Sequence, residues 1–249
     1  MRPLLNISIV SAVSAAYAAL LGLSMLLPAA EAAAQPNTDR VTFDVTNFST
    51  VSADQKLPAQ WQYFSFPSVT RKTSYEIVAD SRYGSVIRAR SAGGAGGVAR
   101  RISLDPQDYP ILNWAWKIED VIARSSLAEK SGDDFPVRLL ISFANGAFPK
   151  SAPETTLCYV WTAREPVCSI AINPQRELVA SVVAASGTVQ AKSWQEFSVN
   201  LVDDYSEAFG QKPGMIQAIA LMTDTDDTGV SAQAWYGPVF LSTAAMAFD

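Results

Sequence analysis

Leu112-Asn113-Trp114-Ala115-Trp116-Lys117-Ile118, in a strand-like run that begins at Ile111, alternates without a break, with Leu112, Trp114, Trp116 and Ile118 in one register and Asn113, Ala115 and Lys117 in the other. A period of two is that of a β-strand, whose successive side chains point to opposite faces. The apolar flanks Leu112 and Ile118 mark the Trp face as core-directed, while two Trp on one strand face also have the form of a sugar-stacking platform. Outward from this strand, alternation or short β-branched runs recur at 41–43, 75–79, 85–89, 98–102, 137–143, 157–161, 167–172, 179–184, 197–199, 216–222 and 236–241, separated by Gly, Pro, Asn and Asp. Many short strands at close, regular spacing predict an all-β fold, an antiparallel β-sandwich or jelly roll. Two short helices are also expected: 121–129, and 203–209 with Asp203 as its cap and Gly210 as its stop. Neither is long enough to cross between parallel strands.

The chain has 249 residues, of which 49% are hydrophobic and 17% charged, with 19 Lys and Arg against 24 Asp and Glu, and a net charge of -5. This acidic balance supplies no footprint for nucleic acid, which is bound by clustered cations on phosphates. There is no His. Every nucleophile system built on imidazole, and every imidazole metal ligand, is therefore excluded.

Met1-Arg2, an apolar stretch from Ile7 to Leu27, Pro28 and the small-residue run Ala29-Ala30-Glu31-Ala32-Ala33-Ala34 follow the order of a secretory signal peptide over 1–34. An uncleaved membrane anchor is the competing reading, since about 20 apolar residues span a bilayer. Ser8, Ser11, Ser14, Gly22 and Ser24 interrupt the stretch and favour cleavage. The expected product is a periplasmic or secreted protein whose residues 35–249 form a single β-sandwich domain. Cys158 and Cys168 stand five positions either side of Ala163. A hairpin folded there would face the two sulfurs across a ladder, and an exported chain would keep such a disulfide; two buried free thiols are the other reading.

Two acidic segments could carry chemistry. In Met222-Thr223-Asp224-Thr225-Asp226-Asp227-Thr228-Gly229 the Asp-x-Asp spacing with a Gly at the sixth position permits a tight loop around a hard cation such as Ca²⁺, making Asp224 and Asp226 the candidate metal ligands. Position twelve is Trp235, where an EF-hand needs a bidentate Glu, so an EF-hand is rejected; an ordinary turn whose Asp and Thr side chains serve backbone groups is the alternative. Gly132-Asp133-Asp134-Phe135-Pro136 precedes a strand beginning near Arg138, which is placed to pair with one of these carboxylates. Both clusters are expected at one end of the sandwich. Trp235 is the most suggestive ring, because Tyr236 beside it must face the other way. Gly93-Gly94-Ala95-Gly96-Gly97 lacks the Lys-Ser or Lys-Thr of a phosphate loop and reads as a flexible hairpin tip.

The segments Trp114-Ala115-Trp116-Lys117, Gly132-Asp133-Asp134-Phe135-Pro136-Val137-Arg138, Tyr159-Val160-Trp161, Asp203-Asp204-Tyr205 with Phe209-Gly210, and Ala220 to Gly229 followed by Trp235-Tyr236-Gly237 resemble, in order and spacing, the bacterial family called domain of unknown function 3047. Asp227 and Pro238 stand where an Asn and a Asp are expected in relatives. The family has no established activity, so the resemblance implies an exported β-sandwich, with a shape like that of jelly-roll carbohydrate-binding modules, and assigns no chemistry. The leading expectation is a non-catalytic binding module for a glycan or another polar ligand of the cell envelope, using Asp133, Asp134, Arg138, Asp224, Asp226 and Trp235. A carboxylate-based hydrolase or lyase of polysaccharides and a structural protein that binds another protein are the alternatives. Two carboxyl groups about 5 to 9 Å apart in a cleft would favour the enzyme.

Overall fold

Strands rich in β-branched and aromatic residues, each with one apolar face, can be stable only by burying that face against another layer. Here two sheets do so. The structure is a computed structural model and describes residues 41–46, 48, 51–53, 56–144 and 154–245. The signal peptide expected over 1–34 lies outside the described residues.

In chain order the strands are β1 (Thr42–Asp44), β2 (Trp61–Phe64), β3 (Ser74–Asp80), β4 (Gly84–Ala92), β5 (Gly97–Leu104), β6 (Ile111–Ile118), β7 (Arg138–Phe143), β8 (Thr155–Thr162), β9 (Ile170–Asn173), β10 (Arg176–Ser186), β11 (Gln195–Asn200), β12 (Ile216–Met222) and β13 (Ser231–Ser242). A six-stranded sheet has the order β11-β6-β13-β4-β3, with β1 also paired to β13, and a seven-stranded sheet the order β2-β5-β12-β7-β8-β10-β9. The chain passes repeatedly from one sheet to the other, as in a jelly roll. β6 and β12 have the bounds expected from their alternation. β2 has no counterpart in the sequence reading, because only Trp61 of its four residues is buried and Pro58 and Pro67 crowd its ends.

The core lies between the sheets. Trp114 and Trp116 of β6 are 1% and 0% exposed, which settles them as core and not as a platform. Trp114 stacks on Phe197 at 4.8 Å and tilts against Tyr159 of the facing sheet at 4.9 Å. One end of this core is closed by α1 (Leu201–Phe209), whose Tyr205 meets Phe143 edge-on at 4.8 Å.

Four local expectations are corrected. First, α1 begins earlier than expected: Asn200 is its N-cap and its side chain accepts from the Val202 and Asp203 N–H groups, while Gly210 closes it in the left-handed conformation as expected. Second, residues 121–129 form no helix. The Ser126 hydroxyl accepts from the Ala128 and Glu129 N–H groups, and the Ser126 N–H donates to Gly132, so local side-chain bonds replace the helical ladder and leave a single 3-10 turn at Lys130–Gly132.

Third, Gly93 to Gly97 is no flexible tip. It crosses from β4 in one sheet to β5 in the other, is largely buried, and Gly96 has φ +140° with no room for a Cβ against Tyr63 and Phe64. Fourth, Cys158 and Cys168 are free cysteines, and the hairpin that would join them does not form. β10 returns between β8 and β9, parallel to β8 and antiparallel to β9. Cys158 therefore neighbours Ser181, and Cys168 sits beyond β10 with its N–H bonded to Val183.

Candidate functional site

The seven-stranded sheet has one face in the core and one outside. On β7, Leu139, Ile141 and Phe143 point inward, which sends Arg138, Leu140 and Ser142 outward. On β12 a bulge between Ile216 and Ala218 resets the alternation, so Ala218, Ala220 and Met222 share the outward face. With Ala99 and Thr156 they make a floor of mostly small side chains, and a groove of about 700 Å³ runs over it.

Larger residues wall the groove. Phe64 and Phe66 meet edge-on at 5.9 Å, and the Arg176 guanidinium lies over the Phe66 ring at 5.3 Å, linking the loop after β2 to the β9–β10 turn. The other wall is the segment before β7. Its Phe135 packs with Cys158, Val160 and Val183 in a second small core on the outer face of the sheet. This anchors Lys130 and Asp133 at the groove's rim.

The acidic segments meet here, as expected. Asp133 bonds the Arg138 guanidinium at 2.8 Å, and Asp224 pairs with it at 2.8 Å. Asp224 Oδ1 also accepts from Arg138 Nε at 2.9 Å and from the Phe135 N–H at 3.1 Å, and the other oxygen of Asp133 accepts from Asn173 at 3.0 Å. Asp134 is fully buried and accepts from the Thr228 N–H and hydroxyl, both at 2.6 Å, and from the Asp227 N–H. It clamps the 224–229 loop to the 133–135 turn. Thr225 ties the same loop to the glycine crossover, through its N–H to Gly94 at 2.8 Å and its hydroxyl to Ser91 at 2.8 Å.

Burial pushes the Asp224 carboxyl up to about 7, against the pull of Arg138. The Asp226 carboxyl is raised by partial burial and by Asp134, and that of Asp227 by partial burial and by Asp226. Burial raises the Cys158 thiol to about 11, so this floor residue is no nucleophile at neutral pH. Asp134, Asp224 and Asp226 bring carboxylate oxygens within 4.8 Å of one another, a set that could hold a metal ion. Arg138 already places a positive charge against Asp224, and Asp134 is engaged by backbone, which leaves Asp226 as the member facing solvent.

Of the six expected site residues, Asp133, Asp134, Arg138, Asp224 and Asp226 are brought together. Trp235 is not among them. It projects from the outer face of the other sheet, where Lys117 lies 4.6 Å from its ring, while Tyr236 points inward and donates to the Met222 carbonyl at 2.5 Å beneath the acidic loop. Phe64, Phe66, Asn173 and Arg176 escape the sequence reading, since they come from strand ends and a loop far apart in the chain whose local patterns carry no shared signal.

The family model described as Protein of unknown function (DUF3047) matches residues 59–240, which contain β2 to β12, most of β13 and the whole groove. The chain belongs to this family. Among curated proteins none matches it in sequence. This DUF3047 member is similar to several solved carbohydrate-binding modules. One is the family 11 module from Clostridium thermocellum in complex with a β-1,3-1,4-mixed-linked tetrasaccharide, with 11% identity over 80% of this chain and 94% of that one and a TM-score of 0.41. Another is the CBM22-1 xylan-binding domain of Paenibacillus barcinonensis Xyn10C, with 10% identity, 78% and 93% coverage and a TM-score of 0.37. A third is a family 29 module from Piromyces equi, with 7% identity, 83% and 92% coverage and a TM-score of 0.34. Among the described residues no helix is long and apolar enough to cross a membrane.

Proposed function

We propose that the protein is an exported, non-catalytic binding module that takes a glycan or another hydroxyl-rich ligand into the groove on the outer face of the seven-stranded sheet. The observation that carries this reading is the combination of a small-residue floor, the aromatic wall of Phe64 and Phe66, and a rim of polar groups, Lys130, Asp133, Gln175, Arg176 and Asp226, around about 700 Å³. Concave sites with apolar walls and a few placed polar groups suit ligands with both C–H faces and hydroxyls.

The carboxylates support binding over hydrolysis. A general acid must present its proton to the substrate. Asp224, the acid whose carboxyl is raised to about 7, has both oxygens engaged by Arg138 and Phe135 and is 3% exposed. Export rests on the order of charged, apolar and small residues over 1–34.

A glycan array probed with residues 35–249, followed by calorimetry on the best-bound glycan, tests the groove. Phe66→Ala and Asp226→Asn should each weaken binding about tenfold, roughly 1.4 kcal/mol. Unchanged affinity in both variants would refute the groove as the site, and release of reducing ends from the bound glycan would refute the non-catalytic reading.

A further inference from the structure

The outer face of the six-stranded sheet carries a constellation that the groove does not use. β13 sets Trp235 opposite Lys117 of β6 on one side and opposite Arg88 of β4 on the other, and Arg88 in turn faces Glu76 of β3. Trp194, just before β11, comes up on the far side of Lys117. The Lys117 ammonium lies 5.0 Å from the Trp194 ring centre and 4.6 Å from that of Trp235, so both indoles sit against one cation.

This arrangement is fixed from several directions. The Asp80 carboxylate lies 3.9 Å from the Lys117 ammonium and accepts from the Trp194 indole N–H at 3.2 Å. Tyr83 meets Trp194 edge-on at 4.9 Å, and its hydroxyl donates to Glu196 at 2.6 Å. Below the Trp194 ring the sheet is trimmed to small residues: a Cβ on Gly237 would come within 3.2 Å of a Trp194 ring carbon and 3.3 Å of the Ala115 Cβ. Trp194 and Trp235 are both half-buried, neither being closed off in the core.

Rings held in this way lose little freedom when a ligand packs on them, which removes a main cost of binding. An indole offers an apolar surface suited to the C–H face of a pyranose ring. The Lys117 ammonium adds a donor beside it for hydroxyls, while Asp80, whose other oxygen accepts from the Arg82 and Tyr83 N–H groups, holds Lys117 and the Trp194 indole in place. Two rings whose centres both lie within 5.0 Å of one ammonium are close enough together for adjacent units of one chain to cover them. We propose that Trp194 and Trp235, with Lys117 against both rings, form a second binding surface for a glycan chain on the sheet opposite the groove. It shares only the class of ligand with the groove reading, and the two sites would let one molecule hold two chains.

The test is indole ¹⁵N–¹H NMR of residues 35–249 titrated separately with cellohexaose, xylohexaose and maltohexaose. The expected result is that the Trp194 and Trp235 signals shift together with at least one hexaose, and that Trp235→Ala weakens the Trp194 response at least tenfold. The buried Trp114 and Trp116 signals report that the variant is folded. Phe66→Ala should leave the Trp194 and Trp235 titration within twofold of wild type. If neither signal moves with any of the three, or if Phe66→Ala abolishes the shift, the second surface is overturned. Backbone amide signals recorded in the same titrations read the groove, which has no Trp in its lining: amide shifts confined to groove residues overturn the second surface while sparing the groove, and shifts confined to Trp194, Trp235 and their neighbours uphold it while the groove reading falls.

Discussion

Arg138 is 6% exposed and carries the charge balance of the acidic end. Removing one member of a buried ion pair leaves its partners charged and unsolvated, so Arg138→Met should cost about 3–5 kcal/mol in urea unfolding, with Arg138→Met/Asp224→Asn recovering part of it. The elevated Asp224 carboxyl sets a pH dependence of definite sign. An acid whose native value of about 7 exceeds the unfolded value near 4 keeps its proton longer in the folded chain, so the native state binds more protons between these limits and stability falls as pH rises through them. Asp224→Asn should flatten that fall, as read from denaturation midpoints at pH 5 and 7.5; equal slopes in the two proteins would contradict the assignment. We read the guanidinium as the resident cation of Asp224, and expect millimolar Ca²⁺ to leave the melting temperature of wild type unchanged, since a ligand stabilises only by binding the native state.

Among the elements, the crossovers matter as much as the strands. Gly96→Ala would force a Cβ into Tyr63 and Phe64 at φ +140°, and should lower the melting temperature far more than Asn200→Ala, which removes a helix cap at a cost of about 1 kcal/mol. The insertion of β10 between β8 and β9 keeps the two thiols apart. Alkylation should therefore label Cys168, which is exposed, in the native protein, and the buried Cys158 only after unfolding; protection of both until reduction would restore the disulfide. The strands themselves were legible because a half-buried strand must alternate. β2 and the failed helix at 121–129 were not, since short-range propensity is overridden where a segment's partners lie in another part of the chain.

For the whole molecule, two packed sheets leave two outer faces, and each carries side chains that no local pattern links. Export predicts a mature protein beginning near Gln35, checked by intact-mass analysis of material purified from the cell envelope; retention of residues 1–34 would refute it. By itself the sequence determined the β class, the family, and the presence of two acidic segments each adjoining a strand, because alternation, composition and motif order are local properties. Tertiary structure alone decided that Phe64, Phe66 and Arg176 wall the same groove as Asp133, that Trp235 faces away from it toward Lys117, and that Cys158 and Cys168 are separated by a strand. Those facts depend on which strands are neighbours in space, and in a jelly roll neighbours are drawn from distant parts of the chain, where spacing along the sequence carries no distance.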